Sequence, residues 1–68
     1  MKLMDYEGKR VRIVDVDNQI FEGRITDYIY AEDNEPEVEA IVMDCQKGPL
    51  RGKAVEFWEE HISVIEII

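Results

Sequence analysis

Side chains that could carry out catalysis are scarce in this sequence. His61 is the only histidine, and no serine or cysteine lies at a spacing from it that indicates a nucleophile and its base. Cys45 has no cationic neighbour in the local sequence, so a small buried side chain is favoured over a reactive thiol. The four glycines are too dispersed for a phosphate-binding loop. The sequence therefore predicts a non-enzymatic protein with no catalytic residues and no cofactor.

The carboxylates of residues 32–39 raise the question of metal binding. This run holds five carboxylates and a proline. Carboxylates bind hard cations, but the run lacks the spaced Asp and Asn ligands and the glycine of a calcium-binding loop. A solvated, self-repelling loop is favoured, and no metal site is predicted.

Aromatic and cationic side chains are the better candidates for ligand contacts. Tyr28, Tyr30 and Trp58 could stack on nucleobases or anchor a protein partner, because rings with one polar edge are favoured in interfaces. The alternative is that each ring only covers one end of the core or a neighbouring strand. Cations clustered around one turn form a second group. The predicted contacts with RNA or a protein partner are Tyr28, Tyr30, Asn34, Lys47, Arg51, Lys53 and Trp58.

The length and composition of the chain exclude several classes of protein. The chain has 68 residues with 16 acidic and 8 basic side chains, a formal net charge of −8 and 46% hydrophobic residues. It forms a single domain, residues 1–68, that is too apolar for a disordered acidic tail and lacks the roughly 20 consecutive apolar residues of a membrane span. The first residues lack an apolar signal core, and one cysteine suits a reducing compartment. We therefore expect a bacterial-type cytoplasmic protein.

The elements that must position these residues are mostly strands. Alternating polar and apolar residues predict strands, and clusters of Gly, Pro, Asp and Asn predict the turns between them. Residues 59–61 are too few and too polar for an α-helix and predict a single 3₁₀ turn. In chain order, the other predicted elements are one helical turn at residues 3–6 ended by Gly8, and strands at residues 9–16, 20–30, 38–45, 54–58 and 63–68.

Gly23, inside the long second strand, predicts how the strands close. A glycine weakens a strand unless the backbone bends or approaches another segment closely, so a sharp curl is expected there. Long bent strands close small sheets into barrels. We predict an all-β fold, a five-stranded, strongly bent antiparallel small barrel with Phe21 and Phe57 in its core. Other all-β arrangements stay open.

Two blocks of this sequence resemble the Sm and Sm-like (LSm) family of small barrels. Residues 6–13, Tyr-Glu-Gly-Lys-Arg-Val-Arg-Ile, and the Phe-x-Gly-x-Ile motif at residues 21–25 are similar to the family's first conserved block, which a short helix precedes. The similarity covers residues 3–28. Residues 55–65 also look like the fourth strand, 3₁₀ turn and fifth strand common to small barrels. The resemblance implies a non-enzymatic barrel that forms rings and binds RNA.

The sequence departs from the family at the RNA-contacting positions. Counted from Gly23, the family's base-contacting Asp and Asn positions hold Ile29 and Asp33 here. Arg51-Gly52 resembles the Arg-Gly pair of the family's second conserved block, which leads straight into the last strand. Here enough residues follow the pair for two more strands, which places it between the third and fourth strands. A net charge of −8 also opposes phosphate binding. The alternatives are an acidic protein-interaction or scaffold adaptor that has lost the RNA site and, less favoured, a regulatory subunit of an enzyme.

Self-assembly is predicted from three features together: a small core, a third strand that is apolar on both faces, and a strongly apolar last strand. An exposed edge strand of such composition aggregates unless another strand pairs with it or covers it. In the Sm family the fourth strand of one subunit meets the fifth strand of the next, and the resemblance extends this arrangement to the present chain. We expect a homo-oligomer with subunit contacts at Val55, Phe57, Val64, Ile65 and Ile67.

Overall fold

Residues 2–68 are described by a computed structural model and form five strands and three short 3₁₀ turns. In these residues no helix has the length and apolar character needed to cross a membrane. The strands are β1 (Arg10–Asp15), β2 (Ile20–Ile29), β3 (Ala40–Lys47), β4 (Ala54–Trp58) and β5 (Ile62–Ile67). The turns are Leu3–Tyr6, Ala31–Asp33 and Glu59–His61. The all-β fold and the N-terminal helical turn are thus confirmed.

All five strands belong to one sheet in which every neighbouring pair is antiparallel. The strand order is β4-β3-β2-β1-β5, so β5 pairs with β1 rather than with β4, the strand that precedes it. β4 and β5 are therefore the two edges of the sheet, although only the Glu59–His61 turn separates them along the chain. The predicted five-stranded antiparallel arrangement is confirmed.

One continuous core lies against a single face of this sheet. Side chains alternate between the two faces along a strand, and the core face carries the apolar ones. Phe21 and Phe57 meet edge to face with ring centroids 5.1 Å apart, which confirms their predicted place in the core. One sheet buries its own face this completely because it curls around the core. The buried residues of this core are Leu3, Val11, Ile13, Phe21, Ile25, Ile41, Met43, Cys45, Phe57 and Ile62.

Gly23 lies at a close approach of β2 to β3. A Cβ atom at this position would overlap the carbonyl oxygen of Asp44 and would lie 2.8 Å from Cγ of Met43. The register between β2 and β3 shifts on both sides of the glycine, between Glu22 and Gly23 and again after Ile25. Such bulges bend a strand and increase its twist. At Gly23 the two strands therefore approach too closely for any larger residue, and the register shifts beside it lie where the bend was predicted.

The turn between β1 and β2 follows from its polar residues. Asn18 adopts a positive φ of 63°, a conformation that asparagine tolerates better than most residues. The carboxylate of Asp15 accepts hydrogen bonds from the backbone N–H groups of Asp17 and Gln19, both at 2.9 Å. These two bonds fix the entry and exit of the turn, as the sequence predicted for residues 17–19.

β3 is the strand that differs most from its predicted limits. It begins at Ala40 rather than at residue 38, because Val38 is held by the preceding loop. The N–H of Val38 donates to the carbonyl of Pro36 at 2.8 Å, and its own carbonyl accepts from Nδ2 of Asn34 at 2.9 Å. At its other end β3 continues to Lys47, two residues beyond the prediction, because pairing with β2 continues that far.

Three other strands, β1, β2 and β5, differ from the prediction by single residues at their ends. β1 is one residue shorter at each end, and β2 stops at Ile29. β5 begins at Ile62 and ends at Ile67, because Ile62 still pairs with Asp15 across a register shift in β1. The limits of β4 and of the Glu59–His61 turn are confirmed.

Candidate functional site

The tyrosine candidates lie at the end of the sheet where β2 terminates. The rings of Tyr28 and Tyr30 meet edge to face with centroids 5.0 Å apart. The hydroxyl of Tyr28 donates to Oε1 of Glu39 at 2.6 Å. This hydrogen bond, followed by desolvation and the negative charge of Glu39, raises the pKa of Tyr28 to about 12. Tyr28 is thus a neutral donor with its hydroxyl already used, and the exposed Tyr30 is the ring that a ligand can reach.

Trp58 lies at the same end of the sheet. It is opposite Ala40 of β3, and Ala40 is opposite Ile29 of β2, so the three residues form one row across the strands. The indole N–H of Trp58 donates to Oε2 of Glu56 at 2.7 Å. Its ring stacks on His61, with centroids 5.3 Å apart and ring planes 10° apart. The indole is therefore held by two side chains of its own chain.

The stacking of Trp58 on His61 was not predicted from the sequence. His61 is exposed, as a residue of a polar turn should be, but its ring has a defined partner. The sequence feature that could have indicated the stacking is the separation of Trp58 and His61 by three positions. Side chains three residues apart eclipse one another in a 3₁₀ turn, and the Glu59–His61 turn follows Trp58 directly.

Carboxylates surround these aromatic side chains. A cleft of about 420 Å³ beside them is lined by Ala31, Val38 and four glutamates, and together with the aromatic candidates it defines the acidic end of the molecule. Carboxylates repel phosphate groups. The amide N–H of Asn34 donates to the carbonyl of Val38, so this donor is used within the loop. The four glutamates of the cleft are Glu37, Glu39, Glu59 and Glu60.

The cationic candidates lie at the opposite end, on the connection between β3 and β4, which we term the basic turn. Lys47, Arg51 and Lys53 are all exposed there. Ala40 and Lys47 mark the two ends of β3, and a strand of that length spans about 23 Å. The structure thus places the aromatic candidates and Asn34 at one end of the sheet and the three cations at the other, and it does not join the two groups into one surface.

A row of alternating charges crosses the outer face of the sheet. Lys47, Glu22, Arg12 and Glu66 lie opposite one another in successive strand pairs, from β3 to β5. Arg12 donates from Nε to Oε2 of Glu22 at 3.0 Å and from Nη1 to Oε1 of Glu66 at 3.1 Å. The hydrogen bond with Arg12 lowers the pKa of Glu22, and the bonds with Glu22 and then Glu66 raise the pKa of Arg12. This charge row neutralises a cation that phosphate could otherwise have used.

β4 leaves one row of backbone groups pointing away from the sheet. The N–H of Cys45 donates to the carbonyl of Lys53 at 3.0 Å, directly across the β3–β4 register. Along the edge strand of an antiparallel sheet, residues whose backbone groups bond to the neighbouring strand alternate with residues whose backbone groups point away from it. Counting from Lys53, the outward N–H and C=O groups belong to Ala54, Glu56 and Trp58.

β5 has a corresponding row on the other edge. The N–H of Ile68 donates to the carbonyl of Arg10 at 3.0 Å, across the β1–β5 register. By the same alternation, the backbone groups of Ile65 and Ile67 point away from β1. Within residues 2–68, the outward groups of β4 and β5 have no strand partner.

The five predicted subunit contacts divide between the core and the surface. Phe57 is buried in the core of its own chain, and Val55 and Ile65 are partly buried against that core. Val64 and Ile67 are 49% and 60% exposed, so these are the two side chains available to a second copy. Sequence reasoning did not separate the two groups, because both share the same apolar composition.

A second cleft, of about 310 Å³, lies where the β1–β2 turn approaches β4, and we term it the seam cleft. The backbone N–H of Val16 donates to the carbonyl of His61 at 3.1 Å and holds the Glu59–His61 turn against the end of β1. The seam cleft therefore lies beside the corner at which β4 is connected to β5. Its lining residues include Asp15, Val16, Asp17, Leu50, Glu56 and His61.

The described residues do not bring potential metal ligands together. Cys45 is buried, and desolvation raises the pKa of its thiol. Among residues 2–68, no three side chains of His, Cys, Asp or Glu converge as a metal site requires. Comparison of the chain with protein-family models, with curated proteins and with solved structures finds no match. The candidate features are the two sheet edges, the acidic end and the basic turn.

Proposed function

We propose that this chain is a non-enzymatic, Sm-like barrel module that assembles with copies of itself. The observation that carries the proposal is the pair of open edges, because β4 and β5 each present unpaired backbone groups to which a further strand can add. Val64 and Ile67 are exposed on β5, and a strand of a second copy would cover them. Joining copies through these edges pairs the backbone groups and buries the apolar side chains at once.

The Sm-like part of the proposal is supported by the positions of the resembling residues. Phe21 and Ile25 are buried in the core, and Gly23 between them lies at the close approach of β2 to β3. The Leu3–Tyr6 turn precedes β1, and the Glu59–His61 turn separates β4 from β5.

Light scattering coupled to size-exclusion chromatography, over a series of concentrations, tests assembly. The expected result is a mass that is a whole multiple of the 8.0 kDa chain at micromolar concentration. A mass of 8.0 kDa at every concentration would overturn the proposal.

Edge variants test which backbone groups join the copies. Glu56→Pro and Ile67→Pro each remove an N–H that points away from the sheet, so they leave the backbone hydrogen bonds between strands intact and block the addition of a strand. Glu56→Pro also removes the hydrogen bond from the indole of Trp58, and Glu56→Ala removes the same bond. Glu56→Ala and Ile67→Ala keep that N–H and are the matched controls. We expect folded monomers from the proline variants, judged by circular dichroism, and oligomers from the alanine variants. Folded proline variants that assemble like the parent chain would exclude these edges.

Single-stranded RNA is a second candidate ligand, favoured by the basic turn. Its three exposed cations lie at the end of the sheet that is distant from the glutamate-lined cleft. Because the net charge of −8 opposes phosphate binding, we expect weak binding that is lost as salt is raised. Fluorescence anisotropy with oligo-U and oligo-A at two salt concentrations tests this, with the triple variant Lys47→Ala, Arg51→Ala, Lys53→Ala as the control.

A parent chain that binds neither oligonucleotide at low salt would exclude RNA. The remaining candidate is then a protein partner. Its candidate contact surface is the acidic end, where Tyr30 is exposed beside the carboxylates.

A further inference from the structure

The seam cleft has an apolar lining that the free chain leaves open to solvent. Phe21 and Phe57, the two core rings that meet edge to face, form part of this lining. Val16 and Leu50 also line the cleft and are 57% and 38% exposed. Val55 of β4, which is partly buried against the core, completes the apolar part. Burial of this surface would contribute free energy to the binding of an apolar group that fits the cleft.

The rim of the seam cleft carries three carboxylates. They belong to Asp15 and Asp17 beside the β1–β2 turn and to Glu56 of β4, and no lysine or arginine of the described residues lines the cleft. Asp15 accepts hydrogen bonds from two backbone N–H groups and Glu56 accepts one from an indole, but none of the three forms an ion pair within residues 2–68. The cleft therefore favours a ligand with an apolar stem and a cationic head. Lysine and arginine side chains have this form, because they bury their stems along apolar surface and keep the charge in water.

The open edge of β4 runs along the same cleft. Val55, Glu56 and Phe57 of β4 all line the cleft, and the backbone N–H and C=O of Glu56 point away from β3. Within residues 2–68 these backbone groups have no strand partner. An extended peptide can add to such an edge through its main chain and place alternate side chains in pockets beside it.

We propose that the β4 edge and the seam cleft bind an extended basic peptide of a partner protein. The peptide adds to β4 as a further strand, and one of its lysine or arginine side chains enters the cleft. The stem of that side chain packs on Phe57 and Leu50, and its charged head lies among Asp15, Asp17 and Glu56. Arginine is favoured over lysine, because its planar guanidinium stacks on aromatic rings and binds carboxylates through two hydrogen bonds.

No strand edge of a second copy supplies such a peptide. β4 and β5 hold no lysine or arginine, and β5 would bring the carboxylate of Glu66 instead. The basic turn is folded by hydrogen bonds such as that from the N–H of Arg51 to the carbonyl of Gly48, so it is not an extended segment. The cations of β1 and β2 lie in strands that already have a neighbour on each side. The inference does not depend on self-assembly, although a peptide on β4 would occupy an edge that a second copy would use.

The probe is a fluorescein-labelled peptide in which arginine alternates with valine, and fluorescence anisotropy at constant pH measures its binding to the full chain. The matched control peptide has glutamate in place of each arginine. We expect the arginine peptide to bind, with an affinity that falls as salt is raised, and the glutamate peptide not to bind. An arginine peptide that does not bind at low salt, or a glutamate peptide that binds equally well, would overturn the proposal.

Two double variants separate the seam cleft from the general negative charge of the chain. Asp17→Asn with Glu56→Gln removes two of the rim charges, and the glutamine keeps an acceptor for the indole of Trp58. Glu59→Gln with Glu60→Gln removes the same charge from the cleft at the acidic end. We expect the first double variant to weaken binding by about two- to thirty-fold, as the loss of two exposed ion pairs implies, and the second to weaken it less. Equal losses would overturn the proposal.

Amide hydrogen exchange measured by NMR locates the added strand. The Ile67→Pro variant is used, because its β5 cannot join a second copy and its β4 edge stays open. Bound arginine peptide should slow the exchange of the outward N–H of Glu56 and leave that of Ile65 on β5 unchanged. Unchanged exchange at Glu56, or slowed exchange at Ile65 instead, would overturn the proposal. A parent chain that is monomeric at every concentration and binds the peptide would overturn only the proposed self-assembly.

Discussion

The two faces of the same sheet differ in burial and in charge. The inner face carries fully buried apolar side chains, and no polar or charged side chain of residues 2–68 is buried with them. The outer face carries the charge row, in which Arg12 bridges Glu22 and Glu66 in contact with solvent. Because successive side chains point to opposite faces, moving one strand by one residue would exchange these two environments. The inner face therefore fixes the register, and the outer face and the edges remain free to set the interactions.

The largest effect is expected from Gly23→Ala, which tests the close approach of β2 to β3. The new Cβ would overlap the carbonyl of Asp44, and backbone atoms cannot yield as a flexible side chain can. We expect destabilisation of more than about 3 kcal/mol, which leaves a chain of this size largely unfolded. Urea unfolding followed by circular dichroism measures it. Gly52→Ala is the control, because Gly52 has a positive φ of 86° but open space around it, and its expected cost is about 1–2 kcal/mol.

The next largest effect is expected within β3, where the side chains of neighbouring residues point to opposite faces of the sheet. Ile41 is fully buried, so Ile41→Ala should destabilise the chain by about 2–5 kcal/mol through lost burial and a cavity. Val42 lies on the opposite face and is half-buried, so Val42→Ala should cost about 1 kcal/mol. The midpoints of urea unfolding measure both. Equal costs for the two variants would show that the faces of β3 are assigned wrongly.

Raising the pH is expected to have a smaller effect on stability, and this effect tests the hydrogen bond between Tyr28 and Glu39. The pKa of Tyr28 is raised from about 10 to about 12 in the folded chain, so folding favours the neutral phenol. This contribution is fully present below pH 10 and is lost as the pH rises through about 12. Phenolate absorbance should show one of the three tyrosines titrating late, and Tyr28→Phe should remove that late step. A late step that persists in Tyr28→Phe would assign it to another tyrosine.

The smallest effect is expected from the charge row. The pKa of Glu22 is lowered by its hydrogen bond with Arg12, so this pair stabilises the chain above the ordinary pKa of glutamate. The contribution is lost as the pH falls through the lowered value. Glu22→Gln should shift the urea midpoint slightly at neutral pH, and high salt should reduce the shift because exposed pairs are screened. Glu66→Gln is the control, because Glu66 is 55% exposed and should matter less. A shift from Glu22→Gln that is as large as that from Ile41→Ala would contradict the division between the faces.

Most of the fold was predictable because it is encoded in local alternation and in turn residues. The limits of β4 and of the Glu59–His61 turn follow directly from the change between apolar alternation and a polar cluster. The start of β3 was not predictable from local pattern, because Val38 has strand propensity and is held in the loop by Asn34 and Pro36. Register shifts such as the one beside Asp15 depend on a partner strand distant in sequence.

The residue types suited to ligand contacts could be predicted from the sequence. Which of these residues share a surface could not. Lys47 and Trp58 are 11 positions apart in the sequence, which says nothing of their places at opposite ends of a hairpin. The partners of Arg12 were equally hidden, because Glu66 lies 54 positions away along the chain and becomes a neighbour only when β5 pairs with β1. Spacing within one strand or turn can be inferred from a sequence, whereas juxtaposition across strands requires the register.

The odd number of strands constrains the way in which copies can be joined. In a sheet of five strands that alternate in direction, the two outermost strands, β4 and β5, run the same way. An antiparallel junction between β4 of one copy and β5 of the next then requires the second copy to be turned over, so that the two hydrophobic interiors lie on opposite sides of the shared sheet. Copies joined in this manner keep separate interiors and extend as a succession of individual barrels, and they do not merge into one wider cylinder.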